Sequence, residues 1–110
     1  MANKYFRKYL SPLAATETAM YTVPAANTGL LSSLRITNGN ASTTLVTVAV
    51  YPVGGVNPYY LIKDHCLTTK ASMDALSGVV CVLEATDVLK ITSSLADCDF
   101  YLSYLEVDRT

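Results

Sequence analysis

Two stretches of alternating side chains, residues 30–38 and 43–51, place the strongest limit on how this chain can fold. Successive side chains of a pleated strand point to opposite faces, so a repeat of two predicts strands. In the first stretch one face is predicted to carry Leu30, Ser32, Leu34 and Ile36. In the second stretch one face is predicted to carry Thr44, Val46, Val48 and Val50. The turn residues Asn38 and Gly39 lie between them, so the two strands are predicted to be antiparallel neighbours in one sheet.

The rest of the chain repeats this pattern of short runs and turns. Further strands are predicted over residues 18–23, 59–67, 79–83, 88–92 and 100–107, and residues 70–76 are predicted to form a short strand in preference to a helical turn. The run 79–83 is apolar throughout, which is typical of a buried strand. In the run 88–92, Leu89 and Ile91 are predicted to face the core. About eight strands, with turns at intervals of roughly ten residues, predict a single antiparallel all-β sandwich or barrel.

Residues 1–17 differ from the rest and are predicted to form an extended N-terminal arm, ahead of a β-sandwich domain over residues 18–110. Basic and large apolar side chains are interleaved in the arm: Lys4, Tyr5, Phe6, Arg7, Lys8, Tyr9 and Leu10. Fixing ten such residues costs roughly 10 to 20 kcal/mol, whereas burying four large side chains contributes roughly 6 to 12 kcal/mol. The arm is therefore expected to become ordered only by pairing with a sheet edge, in its own domain or in a neighbouring molecule.

Charged residues are scarce in this sequence. They make up 15% of it, against 51% hydrophobic residues, whereas soluble domains usually contain about 25% charged residues. Part of the surface is therefore expected to meet a partner. The net charge is -1, so neither a nucleic acid nor an anionic membrane is predicted as that partner. The basic and aromatic arm is also typical of nucleic-acid arms, but nothing else in the chain supports that function.

The residues that usually carry chemistry do not form a recognisable site. The single histidine, His65, precedes Cys66, and neighbouring side chains of a strand point to opposite faces. The three cysteines lack metal-ligand spacing and are interpreted as buried thiols: Cys66, Cys81 and Cys98. The chain has no Gly-rich phosphate loop, no nucleophile elbow and no Trp. No catalytic residue, metal or cofactor is therefore predicted, and the protein is predicted not to be an enzyme.

Tyrosine and charge patterns indicate where a partner would bind. Tyr59 and Tyr60 follow a connection rich in Pro and Gly, residues 52–58, which is predicted to be exposed. Tyrosines suit interfaces, although ordinary strand packing explains them as well. The basic arm also contrasts with acids near the other end, Asp97, Asp99, Glu106 and Asp108, which suggests docking between copies. The candidate interface residues are Lys4, Tyr5, Phe6, Arg7, Lys8, Tyr9, Tyr59 and Tyr60.

Three blocks, residues 17–25, 30–38 and 82–91, resemble small virion structural proteins of tailed bacteriophages. With the chain's size and strand number, they are similar to the jelly-roll staple or cement proteins that decorate phage heads. The likeness covers residues 17–107, and this chain has Thr86 where that family usually has Gly before the Asp.

That resemblance implies a jelly-roll sandwich that binds the outside of the capsid and staples neighbouring subunits of the major capsid protein. It also implies a homo-oligomer, a dimer or trimer, located on the virion surface. Deleting residues 2–10 is expected to leave the domain folded and to abolish attachment. The start of the chain lacks the apolar core of a secretory signal, and no apolar run is long enough to span a bilayer, so synthesis in a host cytoplasm is expected. The alternative is a structural or adsorption sandwich of the phage tail or neck, for example one that binds carbohydrate with the loop 52–58 and its tyrosines.

Overall fold

The computed structural model describes residues 3–52 and 57–108. Over these residues the chain forms nine β-strands. The strands are β1 (Asn3–Leu10), β2 (Thr18–Thr22), β3 (Asn27–Asn38), β4 (Thr44–Tyr51), β5 (Tyr59–Leu67), β6 (Ser72–Asp74), β7 (Cys81–Leu83), β8 (Val88–Ser93) and β9 (Cys98–Asp108). Over those residues the chain forms no helix that is long and apolar enough to cross a bilayer.

The strands form two antiparallel sheets. In the first sheet the order is β1-β9-β3, and both β6 and β7 pair with the far side of β3. In the second sheet the order is β2-β8-β4-β5. When β6 and β7 are counted as one interrupted edge strand, the chain crosses between the sheets in the order of an eight-stranded jelly roll. The predicted antiparallel sandwich with jelly-roll character is confirmed.

The core lies between the inner faces of the two sheets. Its largest fully buried side chains come from both layers: Phe100, Leu102, Leu34 and Ile36 from the first sheet, and Val46, Val48, Leu89 and Ile91 from the second. The alternation predicted for residues 88–92 is confirmed, since β8 alternates between partly and fully buried positions. Sheets that pack on one face in this way leave their outer faces available to other molecules.

The prediction that residues 30–38 and 43–51 are neighbours in one sheet is wrong, because β3 and β4 lie in different sheets. The connection between them crosses the sandwich, and Asn38 holds it in place. The Asn38 side-chain amide is fully buried and donates to the carbonyl oxygens of Ser42, Leu67 and Thr68 at 2.9, 3.0 and 3.1 Å. Its Oδ1 accepts from the Asn40 backbone N–H at 2.9 Å. Asn38 therefore stabilises a crossover, not a two-residue hairpin turn.

A bulge in β3 changes which residues face the core. The β3–β9 ladder shifts register between Leu31 and Ser33, so Ser32 is an extra residue on β3. As a result Leu31 is buried together with Leu34 and Ile36, whereas Ser32 is exposed and Leu30 is only partly buried. The expected common face of Leu30, Ser32, Leu34 and Ile36 is wrong on the N-terminal side of the bulge.

The edges of the sheets hold further differences from the expectations. Residues 59–67 form β5 with the predicted bounds. The run 79–83 was predicted to be a buried strand, but Val79, Val80 and Val82 are 68%, 53% and 60% exposed. Only Cys81–Leu83 form β7, a short edge strand, and Val79 and Val80 lie in the connection before it. Cys98 is buried and Cys81 partly so, but Cys66 is exposed, which contradicts the interpretation of all three as buried thiols. Four residues of the predicted 52–58 loop, residues 53–56, lie outside the described part of the chain.

Candidate protein-binding face

The eight candidate interface residues lie on two separate edges of the sandwich. Six of them are exposed on β1, which pairs with β9 at the edge of the first sheet: Lys4, Tyr5, Phe6, Arg7, Lys8 and Tyr9. Tyr59 and Tyr60 are exposed on β5, at one edge of the second sheet. β1 contacts β2 at the opposite edge of that second sheet. The structure therefore does not bring the two groups together.

The inward side chains of β1 attach the strand to its own domain. Phe6 is opposite Tyr104 of β9, and their rings stack with centroids 5.5 Å apart. The Tyr104 ring packs in turn against that of Tyr21 on β2, at a centroid distance of 4.3 Å. The Lys8 ammonium lies 5.5 Å from the centroid of the Tyr21 ring. These contacts join β1, β9 and β2 across the two sheets, so the N-terminal segment is packed on the sandwich.

A buried hydroxyl and a carboxylate complete this aromatic cluster. The Tyr21 hydroxyl donates to Glu106 Oε2 at 2.7 Å, and the Asn27 side-chain amide donates to Glu106 Oε1 at 3.4 Å. Burial, followed by this hydrogen bond, raises the pKa of Tyr21 far above its ordinary value. Tyr21 therefore remains a neutral donor at physiological pH, and Glu106 keeps a partner inside the chain.

The outward side chains of β1 form an exposed cluster with β9. Tyr9 stacks on Tyr101 with ring centroids 6.3 Å apart, and the Arg7 guanidinium lies 5.9 Å from the Tyr9 ring centroid. Arg7 Nη1 donates to the Tyr101 hydroxyl at 3.3 Å, and this bond raises the pKa of Arg7. Tyr5 and Tyr9 are 84% and 70% exposed. Rigid tyrosines with a neighbouring arginine are typical of the energetically dominant residues of protein interfaces.

A shallow depression lies at one end of this cluster. Its volume is about 450 Å³, and its walls are Arg7, Tyr9, Leu10, Ser11, Asp99, Phe100 and Tyr101. The Ser11 hydroxyl donates to Asp99 at its rim. The site therefore offers aromatic surface beside one cation and one carboxylate, a combination that suits binding.

A row of apolar side chains crosses the outer face of the first sheet from edge to edge. The ladders place Tyr5 opposite Leu105, Leu105 opposite Leu30, and Leu30 opposite Val82. The row was not predicted, because it brings together four strands that are distant in sequence. Of its four residues, only Tyr5 was among the candidate interface residues.

Two of the acidic residues near the C-terminal end lie beside the basic arm of the same chain. β1 pairs with β9 over its whole length, which places Lys4 opposite Glu106 and Leu10 opposite Phe100. Glu106 and Asp99 thus lie beside the basic strand of the same chain. Glu106 bonds there to Tyr21 and Asn27, and Asp99 to Ser11.

The second group of candidates lies on a less regular strand. The Lys63 ammonium is 4.7 Å from the centroid of the Tyr60 ring. Asp64 has a φ of 48°, and β5 bulges twice where it pairs with β4. His65 and Cys66 follow, and both are exposed. Within residues 3–52 and 57–108 no three His, Cys, Asp or Glu side chains are grouped so that they could hold a metal ion.

The comparisons with known proteins yield structural neighbours and no sequence relatives. No family model matches the chain, and no curated protein matches it. The fold is similar to a chain from the disulfide-linked pili of Bacillus endospore appendages, with 14% identity and a TM-score of 0.59. That match covers 99% of this chain and 88% of the pilus chain.

Chains of infectious bursal disease virus have the same fold. One, from the Gx strain, is 11% identical with a TM-score of 0.54, over 96% of this chain and 30% of the viral one. A second, from a viral particle, is 9% identical with a TM-score of 0.51, over 98% of this chain and 36% of the viral one. At such identities the likeness shows a shared fold. The neighbours in fold belong to pili and virus particles, which are structural assemblies.

Proposed function

We propose that this chain is a non-enzymatic structural protein of a tailed-bacteriophage virion, which binds the outside of the capsid and staples neighbouring subunits of the major capsid protein. The observation that carries the proposal is the exposed cluster of Tyr5, Arg7, Tyr9 and Tyr101 on the regular strands β1 and β9. Side chains on strands are positioned more accurately than those on loops, and a rigid aromatic face loses little entropy on binding.

A staple needs two contacts, and the sandwich presents two. The β1 face lies at one edge of the molecule, and the exposed Tyr59 and Tyr60 of β5 lie at the far edge of the second sheet. A molecule that lies between two capsid subunits would bind one subunit with the β1 face and the other with Tyr59 and Tyr60. Each contact is small, but a dimer or trimer bound to a repeating lattice gains strength because the second contact is made at high effective concentration.

The fold supports the same proposal. Chains of similar fold come from pili and from a virus, and a sandwich of this kind exposes two broad sheet faces to neighbouring molecules. The small number of charged residues agrees with a surface that is partly covered in an assembly. We infer that the protein is a component of the virion surface with the major capsid protein as its partner.

The test is binding to purified phage shells that lack the protein. The triple substitution Tyr5→Ser, Arg7→Ser and Tyr9→Ser changes only outward side chains of β1 and should weaken co-sedimentation with shells at least tenfold. The double substitution Tyr59→Ser and Tyr60→Ser should weaken it as well. Leu13→Ser with Leu45→Ser is the matched control, because these exposed apolar residues lie outside both groups. Unchanged binding by the triple variant would contradict the proposal.

A second function has one observation in its favour. The depression near Arg7 has two tyrosines, an arginine and Asp99 in its walls, and stacked aromatic rings beside charged groups also suit a carbohydrate. A sandwich in the phage tail or neck that adsorbs to surface glycans would use this depression. A glycan array separates the two functions: a shell staple binds none of the glycans, whereas an adsorption protein binds a subset and loses it with Tyr9→Ser.

A further inference from the structure

We propose that copies of this chain assemble head to tail, with the β1 edge of one copy paired with the β7 edge of the next, so that the first sheet continues from molecule to molecule. This inference goes beyond attachment to a shell and does not depend on it. The contact is in the plane of the sheet, whereas the binding face described above projects from that plane.

Both edges of the first sheet are open in the described part of the chain. β1 pairs with β9 on one side, and β7 pairs with β3 on one side. Each strand therefore presents a second row of backbone N–H and C=O groups that an added strand can pair with. The β1–β9 ladder runs over eight residue pairs without a shift. β1 is thus a regular edge over its whole length.

The edges of the second sheet are less suitable for such pairing. β2 bulges at Met20, between the pairs formed by Ala19 and Tyr21. β5 bulges twice against β4. Bulges twist an edge strand and interrupt its row of hydrogen-bonding groups, which is one way that proteins prevent edge pairing. The first sheet is therefore the one that can be extended.

Strand directions in the first sheet suit a repeat by simple displacement. β1 is antiparallel to β9, β9 to β3, and β3 to β7. It follows that β1 and β7 run in opposite directions. A second copy moved sideways, in the same orientation, presents its β1 antiparallel to β7 of the first copy. Such a contact uses two different surfaces and can be repeated, which gives a ring or an open chain of molecules.

Both edges carry exposed apolar side chains that can pack against each other. Val79, Val80 and Val82 are exposed at or next to β7, and Tyr5 is the most exposed large hydrophobic side chain of β1. Placing Tyr5 against Val82 of the neighbouring copy would join the apolar rows of the two outer faces into one continuous row. The contact would cover the group of valines that the monomer leaves in water.

The charges of the two edges are also complementary. β1 carries Lys4, Arg7 and Lys8 and no acid. Residues 71–84, which contain β6 and β7, carry Asp74 and Glu84 and no Lys or Arg. Pairing β1 with β1, or β7 with β7, would bring like charges together, whereas pairing β1 with β7 brings opposite charges together. Complementary charge therefore selects the head-to-tail contact over a two-fold one.

Cysteine cross-linking tests the contact directly. The double substitution Tyr5→Cys and Val82→Cys, made with Cys66→Ser to remove the exposed native thiol, places one new thiol at each edge. Within one molecule the two positions are separated by three strand spacings, about 14 Å, which is too far for a disulfide, because its Cα atoms lie at most about 7 Å apart. Oxidation should therefore give a ladder of covalent multimers on a non-reducing gel.

Matched variants make the result decisive. Tyr5→Cys alone and Val82→Cys alone, each with Cys66→Ser, should give no ladder, and neither should Tyr5→Cys combined with Leu45→Cys on the second sheet. A dimer formed by Tyr5→Cys alone would show β1–β1 pairing and would overturn the head-to-tail contact. A double variant that stays monomeric at high protein concentration would overturn the proposal as well.

Sedimentation of the unmodified chain provides a second readout in the absence of any shell. The weight-average mass should rise with protein concentration and fall as salt is added, because the charges at the two edges become screened. Lys4→Glu with Arg7→Glu should remove the association. A chain that is monomeric at every concentration in low salt would contradict the inference, even if it binds shells as proposed above.

Discussion

At the scale of single residues, Asn38 decides how the chain passes from one sheet to the other. Its buried amide serves three carbonyl oxygens and one backbone N–H. Asn38→Ala would leave these groups without their partner in a place that water reaches poorly. We expect it to lower the free energy of unfolding by about 3 kcal/mol, measured by urea denaturation, because each unsatisfied buried polar group costs about 1 to 3 kcal/mol.

Asn40→Ala is the matched control for this prediction. Asn40 lies in the same connection and is half-buried, and its side chain also bonds to Asn38 Oδ1, at 3.1 Å. Since the buried carbonyl groups keep their donor in this variant, we expect a loss of only about 1 kcal/mol. Equal effects of the two substitutions would show that Asn38 has no special part in the crossover.

Cys98 makes the stability of the fold depend on pH in the alkaline range. Burial, with a smaller effect of the neighbouring Asp99, raises the pKa of this thiol to about 11, whereas an unfolded chain releases the proton near pH 8.5. The folded state then holds one more proton than the unfolded state, so stability falls as pH rises through this window. The slope is about 1.4 kcal/mol per pH unit, and the loss ends near the folded pKa.

Cys98→Ala isolates this effect. The variant is expected to be less stable at neutral pH, because a buried side chain becomes smaller. Between about pH 9 and 10.5 the free energy of unfolding of the variant should fall less steeply than that of the parent. The two slopes should differ by about 1.4 kcal/mol per pH unit, the value for one proton. Chemical denaturation at several pH values measures both curves. Parallel curves would show that Cys98 ionises equally in the two states.

At the scale of elements, β1 is attached by few inward contacts. Phe6 stacks on Tyr104, and Leu10 is packed against the edge of the core. Deleting residues 2–10 removes these contacts, and we expect the free energy of unfolding to fall by about 2 to 4 kcal/mol. Since domains of this kind are usually stable by about 5 to 15 kcal/mol, the truncated chain should still fold.

Thermal and urea denaturation check that expectation. The variant with Tyr5→Ser, Arg7→Ser and Tyr9→Ser is the control, because it keeps the backbone of β1 and its inward side chains. Its stability should stay within about 0.5 kcal/mol of the parent, as is usual for surface substitutions. A truncated chain with unchanged stability would mean that β1 is not held on β9 in solution.

Local patterns predicted several strands, although β6 and β7 are shorter than the predicted runs 70–76 and 79–83. The bounds of β5 and the alternation of β8 follow directly from residues 59–67 and 88–92. The pairing of β3 with β4 was wrong, because Asn38 and Gly39 have the composition of a hairpin turn while the contacts that determine the crossover are made to Leu67 and Thr68. The bulge at Ser32 has no local signal either, since it depends on the register with β9.

At the scale of the whole molecule, the arm residues were predicted as an exposed group and lie at a sheet edge. Their interleaving of basic and aromatic types is visible in the sequence. The apolar row from Tyr5 to Val82 is not visible, because it arises from strand order and register across the first sheet. Likewise, the composition of residues 79–83 does not indicate whether their strand is central or at an edge, so their exposure could not be predicted.

We propose that the chain is a structural component on the outside of a phage capsid. The copy number of the chain in purified virions tests this proposal, measured by quantitative mass spectrometry against the major capsid and portal proteins. We expect a number close to that of the major capsid protein. A number close to that of the portal ring would contradict it and favour the tail or neck, and absence of the chain from the particle would contradict a virion function altogether.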